Sequence, residues 1–185
     1  MTILYRAFAI VVFVLIIATS AQAQGKTSGW IEFEGVVESE TGTTPQINVY
    51  AHGPLKGSIG WTLYMQAGQE WGEGLVGLTF APTAWLEVSG SLGLENFNKP
   101  LREGASIWVG KGKLSFLSLQ EDGGSGYWQK NVGKYQLTPT FAIGGLQQTF
   151  IGFGPYVEKM FGRLAFWGAY AVTDNKGLIT AQFNF

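Results

Sequence analysis

The nine residues from Gly177 to Phe185, GLITAQFNF, alternate strictly between apolar and polar. Ile179, Ala181, Phe183 and Phe185 fall on one face of an extended strand, and Leu178, Thr180, Gln182 and Asn184 fall on the other. A terminus that frays into water gains nothing from an apolar face. A strand greasy on one side and polar on the other, sealed at its last residue, suits a barrel wall between lipid and a polar interior.

This segment resembles the C-terminal strand of bacterial outer-membrane β-barrel proteins, in which a terminal Phe follows apolar residues at every second position. The resemblance implies an outer-membrane location, lipid as the surrounding partner, and Phe183 and Phe185 as an assembly signal for the barrel-assembly machinery. It transfers no catalytic or binding residue.

The other end agrees. Arg6 precedes an apolar run, AFAIVVFVLIIA, and then Ala21-Gln22-Ala23, an A-x-A cleavage pattern. Residues 1–23 are expected to be a signal peptide cleaved after Ala23, and 24–185 a single barrel domain. The apolar run is shorter than the roughly 20 residues a spanning helix needs, and the chain has no Cys to carry a lipid anchor or a disulfide. Only 14% of residues are charged, whereas Trp 7, Tyr 7 and Phe 13 accompany Gly 27. Soluble domains carry about 25% charged residues. With 12 Lys+Arg against 13 Asp+Glu, nothing points to nucleic acid.

Turn signals cut the rest into alternating segments. Ser58 to Gln66 is the cleanest: Ile59, Trp61, Leu63 and Met65 oppose Gly60, Thr62, Tyr64 and Gln66. With both termini periplasmic, connections at 39–44, 67–73, 95–104, 121–126, 147–148 and 173–177 fall outside. Those at 54–57, 81–84, 110–113, 138–140 and 158–162 fall inside. The fold expected is therefore all-β, an up-and-down antiparallel barrel of twelve strands, with ten the next choice if the breaks at 110–113 and 147–148 are lost.

The face opposite the apolar stripe supplies the lumen-lining candidates Glu32, Glu34, Asn48, Tyr50, Thr62, Tyr64, Gln66, Glu87, Ser89 and Gln182. Charge on the lipid face costs about 2–4 kcal/mol at mid-membrane, so these side chains are expected to turn inward. Lys111, Lys113, Lys130, Lys134 and Arg163 are the candidate cations. The Trp residues read mainly as interfacial anchors, except Trp61 and Trp167, which stand away from the strand ends and are expected to face lipid or lumen deeper in the wall. The chain's single His, His52, stands at the periplasmic strand end, far from Asp122 and Asp174, and no G-x-S-x-G elbow or metal-ligand cluster accompanies it. No enzyme, cofactor or metal is expected. The reading is a narrow passive channel for ions or small polar solutes; the alternative is a closed structural or surface barrel with a side-chain-filled lumen.

Overall fold

The computed structural model describes residues 27–38 and 42–185. The expected signal segment and the tip of the first connection lie outside them. The described residues form twelve strands: β1 (Ser28–Glu38), β2 (Gly42–Lys56), β3 (Ile59–Ala67), β4 (Gly72–Thr83), β5 (Leu86–Glu95), β6 (Leu101–Lys111), β7 (Leu114–Gly123), β8 (Trp128–Thr138), β9 (Phe141–Gln148), β10 (Gly152–Phe161), β11 (Leu164–Ala171) and β12 (Lys176–Asn184). Each pairs antiparallel with its sequence neighbours, and β12 returns to β1, so the sheet closes. Closure leaves no strand edge, which is what a sheet in lipid requires.

The seam between β1 and β12 runs from Trp30 opposite Asn184 to Glu38 opposite Lys176. One more pair of bonds extends it, with Gly29 N–H donating to Phe185 O at 3.2 Å and Phe185 N–H to Gly29 O at 3.0 Å. Gly29 also makes room for the Phe185 ring, whose Cζ would stand 2.7 Å from a Cβ there.

The two ends of the barrel differ. At one, every connection is two residues: 57–58, 84–85, 112–113, 139–140 and 162–163. Gly57, Gly112 and Gly162 each take a positive φ at the first turn position, 59°, 63° and 62°, the φ signature of a type II′ hairpin. At the other end, the described connections are longer: 68–71, 96–100, 124–127, 149–151 and 172–175. These are called the turn end and the loop end below.

Residues opposite one another across a ladder share a face, so the registers sort every strand position. The outer face carries Phe33, Val76, Leu78, Leu92, Leu94, Phe153, Val157, Phe166 and Ile179, all exposed. Charged outward residues stay close to strand ends, as Glu103, Asp122 and Lys159 do. Strands of 8 to 15 residues with such a band match a bilayer's hydrocarbon thickness.

Several connections are shorter than their composition implies. The polar stretch 95–104 contains only a 96–100 loop; Leu101 already starts β6. Glu121 and Asp122 belong to β7, Glu73 to β4 and Glu158 to β10, and the break placed at 147–148 falls at 149–151. Glu73, Glu121 and Glu158 continue their strands because their side chains face a polar interior, which composition alone cannot tell from solvent.

Candidate functional site: the barrel interior

The inward face is strongly acidic. Among the described residues, Glu32, Glu34, Glu38, Glu73, Glu87, Glu95, Glu121 and Glu158 point inward, against Arg102, Lys130, Lys134 and Lys176, eight carboxylates to four cations. All ten lumen-lining candidates share this face. Asn48, Tyr50 and His52 alternate along β2, Thr62, Tyr64 and Gln66 along β3, Glu87 and Ser89 along β5, and Gln182 opposes Glu32 from β12. Of the candidate cations, Lys130 and Lys134 point inward, while Lys113 and Arg163 sit in turns and Lys111 ends β6 on the outward side.

Part of the interior is filled. Val132, Leu146, Ile151, Tyr156, Trp167, Ala171 and Leu178 form a buried cluster, with Val36 and Ala169 packed against it. It occupies the side walled by β8 to β12. The remaining space is crossed by a belt of polar side chains.

On the side of β1 to β3 the belt is a hydrogen-bonded chain. Glu32 accepts from Asn48 Nδ2 at 2.9 Å and from Trp167 Nε1 at 3.0 Å. Lys130 Nζ donates to Glu34 at 3.3 Å, lies 3.9 Å from Glu32, and sits 4.7 Å from the centre of the Trp167 ring. Glu34 also accepts from Gln46 Nε2. Gln66 Nε2 donates to Gln46 at 2.9 Å, and Tyr64 Oη donates to Gln66 at 2.8 Å. Glu32 and Glu34 are 3% and 2% exposed. One ammonium thus serves two buried carboxylates, and amide and indole donors satisfy the rest.

On the side of β4 to β7 the belt is built around Arg102, the largest of the fully buried side chains at 1% exposed. Its guanidinium contacts Glu73, reaches Glu121 Oε2 at 3.1 Å and Glu95 Oε2 at 3.3 Å, and donates to Ser125 Oγ at 3.0 Å. The Trp71 ring stacks near it, 5.5 Å from centroid to Cζ, and its Nε1 donates to Glu95 at 3.3 Å. A planar five-donor fork is the side chain suited to three carboxylates at once. A further pair, Lys134 to Glu158 at 2.9 Å with Tyr156 Oη donating to the same oxygen at 2.6 Å, lies beside the apolar cluster.

Sequence reading missed Glu73, Glu95, Arg102 and Glu121, because each was placed in a loop. The signal available was parity. Arg102 lies an even number of residues from Gly104, Ser106 and Trp108, which alternate with the apolar Ala105, Ile107 and Val109. The interfacial reading of the Trp residues also needs correcting. Trp30, Trp108, Trp128 and Trp167 face the interior, Trp71 caps Arg102, and Trp61 faces outward. Aromatic rings suit a polar lumen as well as an interface, since they bring both a flat apolar surface and a polar edge.

Two cavities approach the belt from opposite ends. The loop-end cavity, about 350 Å³, includes Glu38, Gln46, Gln66, Trp71, Arg102, Trp128 and Gln148 in its lining. The turn-end cavity, about 390 Å³, includes Trp30, Tyr50, His52, Tyr64, Glu87, Trp108 and Glu121. Adjacent belt residues, Gln66 and Tyr64, belong to one cavity each.

This geometry is similar to that of solved porins. A KdgM porin structure superposes with a TM-score of 0.58 at 10% sequence identity, over 84% of this chain and 99% of that chain. The chain has a porin-type barrel fold. KdgM in complex with disordered oligogalacturonate matches equally, at a TM-score of 0.58 and 9% identity with the same coverage. A NanC porin structure aligns at 0.49 and 9% identity, over 83% of this chain and 97% of that one. No protein-family model and no curated protein matches the sequence.

Proposed function

We propose that the protein is a narrow passive channel of the bacterial outer membrane, with the polar belt as its constriction and small cations or neutral polar solutes as its cargo. The observation that carries this reading is the pair of lumenal cavities meeting at a net-acidic belt. The apolar outer band and the KdgM-type fold support the location. In this reading the loop end faces outward, lipid surrounds the wall, and Phe183 and Phe185 on the closing strand serve the barrel-assembly machinery.

The charge balance separates this chain from the KdgM complex. Oligogalacturonate is a polyanion, and eight inward carboxylates against four cations repel one. The chain is therefore assigned solutes of the opposite sign or of none. Catalysis plays no part in this reading: His52 stacks on Tyr50 at 5.3 Å and lies 3.9 Å from Glu87, and its place is in the channel wall.

One observation favours a closed barrel: Arg102 and Glu34, at 1% and 2% exposed, are packed tightly enough to seal the lumen. Single-channel recording on the refolded 24–185 chain decides between them. Stable current steps whose cation preference falls in Glu34→Gln establish the channel. A protein that inserts into planar bilayers and stays silent establishes the plug.

A further inference from the structure

The turn-end cavity has a composition that a mere passage does not require. Trp30 and Tyr50 stack with ring centroids 5.8 Å apart, and Tyr50 and His52 at 5.3 Å, both at 29° between planes. These three rings form a ladder along β1 and β2. Trp108 supplies a fourth surface from β6: its indole lies over Gly110, where a Cβ would stand 2.4 Å from the ring. Gly110 thus lets the indole fold along the wall instead of spanning the lumen. Glu87, opposite Trp108 in the β5–β6 ladder, brings a carboxylate into the same space, 3.9 Å from His52. Among the described residues, the lining of this cavity contains no Lys or Arg. The hydroxyls of Ser89 and Ser106 are occupied with each other at 2.6 Å.

From this the geometry points to a binding site for a small organic cation in the turn-end cavity, held over the faces of Trp30, Tyr50 and Trp108 with Glu87 as its counter-charge. Aromatic faces attract a cation through their quadrupole, the more strongly as water is removed. A neutral saccharide would make no use of the Glu87 charge, whereas a cation uses the rings and the carboxylate together. An anion would face the Glu87 carboxylate, with no Lys or Arg among the described lining residues to offset it. The inference rests on the channel reading for its role, since a cation held there would be a solute pausing in transit.

The test is calorimetric and needs no current. The 24–185 chain, refolded in detergent and scored as folded by the mobility difference between unheated and heated gel samples, is titrated with tetraethylammonium chloride, glucose and galacturonate. Tetraethylammonium is expected to bind in the millimolar range, with no heat from the other two. Glu87→Gln, which keeps the side chain's shape, is expected to weaken binding about tenfold, and Trp108→Leu to weaken it further or abolish it. Binding unchanged in Glu87→Gln, glucose binding as well as tetraethylammonium, or no binding at all would each overturn the assignment. A protein that binds tetraethylammonium but passes no current would sink the channel and keep the site; a conducting protein that ignores the cation would do the reverse.

Discussion

At the scale of single residues, the interior depends on two cations that each serve several carboxylates. Arg102 stands among Glu73, Glu95 and Glu121, and its removal leaves three acidic groups buried together. Breaking a buried pair from one side costs about 3–5 kcal/mol, because an uncompensated charge stays behind. Arg102→Ala is therefore expected to lower the unfolding free energy of the refolded barrel, read from its urea transition, by an amount of that order. An unchanged midpoint would mean that the cluster relaxes into water at the loop end. Lys130→Met makes the matching case for Glu32 and Glu34, with Trp167 losing its cation contact as well. Since Met fills nearly the same volume, a loss of about 3–5 kcal/mol in the same assay would report the charge and not the packing. Adding Glu34→Gln to that variant should recover part of the loss, and failure to do so would show that the ammonium acts mainly as filler.

At the scale of elements, strand pairing is shaped by where backbones crowd. An added Cβ at Gly154 would stand 1.8 Å from the Tyr170 carbonyl of β11, and one at Gly144 1.8 Å from the Gly133 carbonyl of β8. Both glycines face inward, where the backbone of the neighbouring strand leaves no room for a Cβ. Backbone cannot yield as a side-chain tip can. Gly154→Ala is expected to reduce the folded fraction after refolding, although intrinsic propensity favours Ala over Gly within a strand by about 0.5–1 kcal/mol, and to be worse than Gly133→Ala, where a Cβ meets nothing within 4 Å. Equal folding yields for the two variants on unheated gels would show that the backbone at Gly154 yields to a Cβ. The turns follow simpler rules. Gly57, Gly112 and Gly162 stand where a two-residue hairpin needs a positive φ, and sequence marks them plainly.

At the scale of the whole molecule, the balance of inward charge sets the field along the lumen. A potassium chloride gradient across a bilayer holding the protein should give a reversal potential of cationic sign. The preference should weaken as salt rises from 0.1 to 1 M, because the Debye length falls from about 10 Å to about 3 Å. An anion-selective current would show that the four cations, and not the eight carboxylates, line the conducting path.

Much of this was legible in the chain. Alternation in β3 and β12, tight Gly and Pro turns, and parity between the two ends sufficed for twelve strands and for the facing of Glu32, Glu34, Tyr64 and Gln66. Those features are local: period two and turn chemistry act within a few residues. The Arg102 cluster was not legible, because Glu73, Glu95, Arg102 and Glu121 come from four strands and look like loop residues where each strand ends. Nor could alternation place Trp167, because β11 is apolar on both faces. What the sequence by itself determined was the barrel, its strand count and its two chemically distinct faces. What only the tertiary structure decided was how the inward side chains meet across the interior. Closure brings β1 against β12 and sets Lys130 of β8 beside Glu34 of β1, a contact 96 residues apart that no local pattern encodes.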